Sequence, residues 1–359
     1  VHRLILAILI FAPGIFIWQN RALYQQRYHG EAEFSYYQNS RYVRGDKSDY
    51  LPSDGQVYAL KGYLFVVKKL DPVNFEPGHP PLSAYFMGAS ILLFANPVIS
   101  NLLFGLASLA VFYLLAVAIT KRKTLAALLT LLLFSEPLFR VQLVEPLLDI
   151  YQLFFVLVAV FFYIQWLRSD SFKFIAVSQT ALGLALASKF FLSGLPLLFA
   201  LFLPTLFSLN FHRFSRHVLA LVFIGLGFML GHFSYFLFHP SLLEFARYQR
   251  YVLNWWAGSP QIAPFAVWDL IFANRWHTWW DNQGIIPAGE WRLTWPLATG
   301  LGLISLPVAF FRKKFSLLML TLWLWQVFVL TQLSFTAVFP RHLLLILPAS
   351  ILLSAIMFL

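Results

Sequence analysis

Cysteine is absent from the 359 residues, which excludes disulfide staples, thiolate metal sites and cysteine nucleophiles while leaving the compartment open. Charge is also scarce. Asp, Glu, Lys and Arg make up 11% of the chain against 60% hydrophobic residues, with a mean hydropathy of +0.71. Soluble domains carry about 25% charged residues, so a water-soluble globule is excluded. Acidic residues are scarcest, 15 against 26 Lys and Arg, for a net charge of +11. In a soluble chain that excess would point to nucleic acid, but here the basic residues form short clusters between apolar runs, a pattern of membrane topology. Gly-rich phosphate loops, HExxH zinc helices, fixed-period repeats and low-complexity linkers are all missing.

What is present is a series of apolar runs, at residues 4–18, 82–95, 98–119, 124–139, 147–167, 172–187, 190–207, 218–238, 293–311, 315–335 and 343–359. A helical crossing takes about 20 such residues, so the chain reads as an all-α polytopic membrane protein with one module spanning 1–359. The first run lacks a small-residue cleavage site and reads as an anchor, not a removable signal peptide. Two polar intervals, 19–80 and 239–292, are too long for simple connectors and are expected to be functional. Eight of the 12 Trp lie between Trp255 and Trp295, including Trp279-Trp280. Interfacial anchoring is the ordinary role of such residues, and sugar stacking is the alternative. The last run is still apolar at Leu359, as expected of a piece of a longer polypeptide.

Four basic clusters orient the chain: Lys121, Arg122 and Lys123; Arg168 and Lys173; His212, Arg213 and Arg216; Arg312, Lys313 and Lys314. Short loops rich in Lys and Arg stay cytoplasmic. Two apolar runs separate each cluster from the next, which puts all four on one side and 239–292 on the other. A cytoplasmic start at Arg3 places 19–80 outside as well, and leaves one net crossing before Lys121. Run 82–95, short and closed by Asn96-Pro97, is therefore expected to lie along or dip into the outer face without crossing. About ten crossings result, with both long loops outside. The plasma membrane of a prokaryote is expected in preference to the endoplasmic reticulum.

In the first outer loop, Asp54-Gly55-Gln56-Val57-Tyr58-Ala59-Leu60 is followed by Glu76-Pro77-Gly78-His79-Pro80-Pro81-Leu82. Further on stand Arg140-Val141-Gln142-Leu143-Val144-Glu145-Pro146-Leu147-Leu148-Asp149 with Phe154-Phe155, then Gly183-Leu184-Ala185-Leu186-Ala187-Ser188-Lys189 and Pro340-Arg341-His342-Leu343. In order and rough spacing these segments resemble the protein O-mannosyltransferase family and its relatives, including the aminoarabinose transferases of lipid A, membrane glycosyltransferases that use polyprenyl-phosphate sugars. That resemblance implies a membrane glycosyltransferase taking a hexose such as mannose from a polyprenyl or dolichyl phosphate to a protein acceptor, with inversion at the anomeric carbon. A lipid or glycan acceptor is the alternative within the same fold, and a non-enzymatic lipid or sugar transporter is the rival outside it. Two departures bear on the acceptor: the family's Asp-Glu pair is Asp54-Gly55 here, and no large β-rich insertion occupies the later loop.

The chemistry of these residues can be read independently. Glycosyl transfer from a lipid phosphate needs a carboxylate to take the acceptor's proton, and Asp54 on an outer loop is the first candidate base. Its alternative role is capping a helix that starts near Gln56. His79, stiffened by two prolines, is a candidate phosphate contact or a plain turn histidine. Arg140, Glu145 and Asp149 lie at an outer helix end, where ionisable groups are rare. One reading has Arg140 on phosphate, with Asp149 orienting the loop or a cation and Glu145 in reserve as a base; the other is an Arg140 to carboxylate pair joining two helices. Glu145 and Asp149 share a face only if Pro146 does not break the helix. Lys189, Arg341 and His342 reach the same side, where cations bind phosphate, or merely snorkel to the interface. Two oxygen ligands are too few to argue for a metal, so no cofactor is expected beyond an optional divalent cation.

Overall fold

The computed structural model describes residues 2–257, 263–278 and 284–359, and these are helical almost throughout. One two-stranded antiparallel ribbon pairs Trp276–His277 with Ile285–Ile286. Among the described residues four helices are long and apolar enough to cross a membrane: Val98–Thr120, Asp149–Ser169, Phe211–Gly231 and Thr294–Phe311. A fifth candidate is a bent pair, Lys123–Ser135 and Pro137–Val144, which meet at 65°. Pro137 explains the bend, because proline lacks an N–H and is at home only in the first turn of the helix it opens. Leu4–Gln19, Leu82–Phe94, Phe172–Ser188, Leu195–Phe207, Leu317–Leu333 and Leu347–Met357 are shorter apolar helices. The all-α membrane architecture is present, with four or five full-length spans where about ten crossings were expected.

Three boundaries differ from the apolar runs. The helix begins at Phe211, not at 218, because Asn210 caps it by accepting from the Arg213 N–H at 3.0 Å. The cluster His212, Arg213 and Arg216 is thus on a helix, where Arg213 Nε and Arg216 Nη1 lie 3.6 and 3.9 Å from the Asp170 carboxylate. Residues 190–194 are not part of the following helix, which starts at Leu195 with Pro196 in its first turn. The segment Pro340–Leu345 is a 3-10 turn ahead of the last helix.

The buried centre is Asp149–Ser169, packed between Val98–Thr120 and Phe172–Ser188, with Tyr151, Tyr163 and Trp166 fully enclosed. Phe172–Ser188 in turn meets Val222–Gly231 backbone to backbone. A Cβ added at Gly183 would lie 2.2 Å from the Ile224 carbonyl oxygen, and one at Gly227 would lie 2.4 Å from that of Thr180. Small residues at such crossings let helices approach where lipid offers no competing hydrophobic drive.

The first loop is built from short helices, Arg21–Gln25, Gly30–Gln38 and Arg41–Arg44, ahead of Asp54–Gly62. The last of these packs on Leu82–Phe94 through Gly62, whose added Cβ would meet the Ala84 carbonyl oxygen at 2.7 Å and the Gly88 nitrogen at 2.8 Å. The other end of Leu82–Phe94 is tied to the same loop. The buried Asn96 amide donates to the Leu23 and Gln26 carbonyls at 2.7 and 2.8 Å, and the Tyr28 N–H donates to the Ala95 carbonyl at 2.8 Å.

The tryptophans act chiefly as rivets, because a buried indole needs an acceptor for its N–H. Trp256 donates to the Gly78 carbonyl, Trp268 to Ser334, Trp276 to the Val338 carbonyl, Trp291 to the Ile271 carbonyl and Trp295 to Glu136. Trp279-Trp280 lie outside the described residues.

Candidate active site

Helix Asp54–Gly62 opens with a capping box: Ser53 Oγ accepts from the Gln56 N–H at 3.3 Å, and Gln56 Oε1 accepts from the Ser53 N–H at 2.9 Å. Ser53 is the cap. The reading of Asp54 as the cap is therefore corrected, since the reciprocal pair one residue earlier already satisfies those donors. Asp54 is instead the first helical residue, where the helix dipole favours a carboxylate. The helical repeat sets Asp54, Tyr58 and Lys61 on one face, at i, i+4 and i+7.

At the mouth of that face, Asp54 accepts from Arg341, which stands on the turn Pro340–Leu345. The Arg341 Nε also lies 3.6 Å from Asp149 Oδ2. The other Asp149 oxygen accepts from Lys189 Nζ at 2.5 Å. The result is an alternating row, Asp54, Arg341, Asp149, Lys189, drawn from four separate segments. Asp149 is 8% and Lys189 12% exposed, while Asp54 keeps 34%, so solvent or a ligand enters from the Asp54 end. Asp149 can reach Lys189 because it begins its helix after the break at residues 145–148, which also separates it from Glu145.

The other candidate residues surround this row unevenly. Glu145 is exposed beside it; crowding by neighbouring protein raises its carboxyl above the ordinary value, with Arg341 opposing and Glu290 reinforcing. His342 accepts from the Phe339 N–H at 3.4 Å through Nδ1, and burial, aided by Lys189, holds its imidazole well below the usual value. It is a neutral turn-former beside the cations. Arg140 is exposed, donates to the Ser135 carbonyl at 2.6 Å, and joins neither Glu145 nor Asp149.

A second polar cluster adjoins the first across Tyr58, whose buried phenol lies in the field of Asp54, Arg341 and Asp149. Its hydroxyl is 3.4 Å from His79 Nε2. His79 Nδ1 is 2.7 Å from Glu76 Oε1, and Glu76 Oε2 accepts from Lys61 Nζ at 2.7 Å. Burial pulls the Lys61 ammonium below its ordinary value, with Glu76 opposing. Burial also works against a charged Glu76, but Lys61 and His79 together outweigh it and hold the carboxyl below the usual range. Lys61 escaped the sequence reading altogether, although its spacing from Asp54 was the available signal.

No family model and no curated protein matches this sequence. Solved structures match it by shape. ArnT from Cupriavidus metallidurans in the apo state superposes with a TM-score of 0.65 at 15% identity, over 86% of this chain and 55% of the ArnT chain. The same protein bound to undecaprenyl phosphate gives a TM-score of 0.65 at 16% identity, over 96% of this chain and 59% of ArnT. The chain has the ArnT fold. It spans less than two thirds of ArnT's length in both comparisons.

Within this ArnT-like fold the described residues contain no group of three or more His, Asp or Glu arranged to hold a metal ion. Arg341 and Lys189 already engage Asp54 and Asp149. An apolar cavity of about 150 Å³ lined by Phe265, Trp268, Leu330 and Phe335 includes none of the charged residues.

Proposed function

We propose that the chain is an integral-membrane glycosyltransferase module that takes a sugar from a polyprenyl-phosphate donor and delivers it at the outer or lumenal face. The observation that carries this reading is the alternating row of Asp54, Arg341, Asp149 and Lys189 at the mouth of the loop helix. A row of paired charges is poised for exchange. A phosphate competes with the carboxylates for Arg341 and Lys189 through charge-assisted hydrogen bonds, which suit an anion leaving with the lipid. Arg341 then releases Asp54, the most exposed member of the row, to take the acceptor's proton as the acceptor oxygen bonds to the anomeric carbon and the phosphate departs. Asp149 and Glu145 are the next candidate bases, and His79, Arg140 and His342 complete the donor site in this reading. ArnT with undecaprenyl phosphate bound supports the lipid class, since that protein shares the fold.

The architecture belonging to this proposal has about ten crossings, outer loops 19–80 and 239–292, and a prokaryotic plasma membrane. A hexose such as mannose and a protein acceptor rest on the motif resemblance. A lipid or glycan acceptor is the second reading, favoured because the described part of 239–292 has only two two-residue strands and no β-rich insertion for protein recognition.

The test is transfer itself. Protein in nanodiscs is given undecaprenyl-phosphate or dolichyl-phosphate [14C]mannose with a membrane fraction, and the product is sorted by protease, lipid extraction and glycan release. Label leaving the lipid and entering one of these fractions is expected. Movement of intact labelled lipid between leaflets of proteoliposomes, with no transfer, would establish the transporter instead.

A further inference from the structure

The second cluster has no substrate-facing cation. Lys61 is 2% exposed, and an ammonium has three N–H donors. All three have acceptors: Glu76 Oε2 and the Glu76 carbonyl at 2.7 Å, and the His79 carbonyl at 2.6 Å. Lys61 is thus committed to holding the turn 76–79. Glu76 has φ of 44°, a left-handed backbone unfavourable for a residue with a Cβ. Such strain persists only where the surroundings over-determine it, and it gathers at functional sites. Trp256 completes the clamp, donating to the Gly78 carbonyl at 2.6 Å with its ring edge-on to His79.

The charge state of Glu76 fixes a proton on His79. Paired with Lys61, the carboxylate is ionised and can only accept, so the His79 Nδ1 at 2.7 Å must carry the N–H. The second ring nitrogen then faces Tyr58, whose phenol borders the Asp54 and Arg341 row. A ring nitrogen is defined by the bond its partner nitrogen makes.

We propose that Lys61 and Glu76 are positioning residues, which lock His79 with Nδ1 as the donor to Glu76, so that Nε2 accepts from the Tyr58 hydroxyl in the neutral ring and, on taking a second proton, turns an N–H toward the donor phosphate. The phosphate end of this statement rests on the glycosyltransferase reading, whereas the tautomer lock does not.

The experiment is 15N NMR of protein labelled with [15N]histidine in nanodiscs, with the His79 signals assigned by subtraction against His79→Gln. Wild type is expected to show Nδ1 protonated, and Nε2 to shift on addition of undecaprenyl phosphate. The double variant Lys61→Met/Glu76→Leu removes both buried charges together, so neither is left uncompensated. It is expected to lose the Nδ1–H signature and to raise KM for the lipid donor about tenfold, with kcat within about twofold of wild type, a tenfold change being the size of one modest interaction. Lys61→Met/Glu76→Gln, which restores an acceptor for Nδ1, is expected to recover the signature and most of the KM. An unprotonated Nδ1 in wild type overturns the proposal, even if neither double variant folds. So does a folded Lys61→Met/Glu76→Leu protein with unchanged His79 signals and KM. A wild-type Nδ1–H signal that ignores undecaprenyl phosphate removes the donor-site role of His79 while leaving the lock in place, and the glycosyltransferase reading is decided separately by the transfer assay.

Discussion

Ser53 and Asp54 are neighbours with separable work. Ser53→Ala deletes the helix cap and is expected to cost about 1 kcal/mol of stability with turnover nearly unchanged. Asp54→Asn keeps the volume and leaves the capping box untouched, so stability should fall by no more than about 1 kcal/mol, from the lost helix-dipole and Arg341 contacts, while turnover falls by about two orders of magnitude, the usual size of a general-base contribution. Equal turnover in folded Asp54→Asn and wild type, measured with the true acceptor, would move the base to Asp149 or Glu145. Arg341 touches both Asp54 and Asp149 and lies over the Phe339 ring at 4.3 Å. A lysine offers one compact ammonium in place of that planar fork. Arg341→Lys is therefore expected to weaken undecaprenyl phosphate binding about tenfold, roughly 1.4 kcal/mol, by titration in nanodiscs. An affinity equal to wild type would show that charge alone suffices at this position. Asp149, Lys189 and Arg341 were legible in the sequence because each ionisable group interrupts or borders an apolar run, and Asp54 because its outer-loop segment resembles a family motif. Their pairing was not, since it joins residues as far apart as 54 and 341, and Lys61 looked like any loop lysine until the helix turned it inward.

At the scale of elements, hydropathy located most helices but missed the bend at Pro137 inside the run 124–139, whereas the break beside Pro146 was one of the two alternatives the sequence left open. Pro137 and the interruption at residues 145–148 decide where Asp149 points, and neither changes the apolar content of its surroundings. The helix starting at Phe211 was hidden for the opposite reason: its first turns are polar and basic although helical. Gly183 lies in a stretch read for its resemblance to a family motif, yet its observed work is packing. Gly183→Ala puts a methyl 2.2 Å from a backbone oxygen of Val222–Gly231, which forces the helices apart at an expected cost of about 1–3 kcal/mol. Gly225→Ala is the control on the same partner helix, because nothing lies within 4 Å of its added Cβ. It should be neutral or stabilising by up to about 1 kcal/mol, from helix propensity. Thermal unfolding in detergent followed by circular dichroism checks both, and a Gly183→Ala protein as stable as Gly225→Ala would mean that the two helices do not need to approach so closely.

For the whole molecule, the question is which ends of the helices share a side. Leu82–Phe94 has 13 residues, about 20 Å at the helical rise, short of a hydrocarbon core of about 30 Å. Both its ends meet the first loop, through Gly62 near one end and through Leu23, Gln26 and Tyr28 at the other. Anchoring at both ends to one loop favours the expectation that this helix makes no net crossing, the layout that the count of basic clusters also calls for. Asn96 itself is unsuitable as a reporter of sidedness, being 3% exposed and bonded to the loop backbone. The cysteine-free chain permits better ones. Asp46 and Arg275 are exposed in the two long polar intervals, and Arg122, Leu209 and Lys313 are exposed in or beside the basic clusters. Single cysteines at Asp46 and Arg275 should react with an impermeant maleimide in intact cells or right-side-out vesicles. Those at Arg122, Leu209 and Lys313 should react only after permeabilisation. Labelling of Asp46→Cys and Arg122→Cys from the same side would require an even number of crossings between them, and the active-site face would then have to be assigned again.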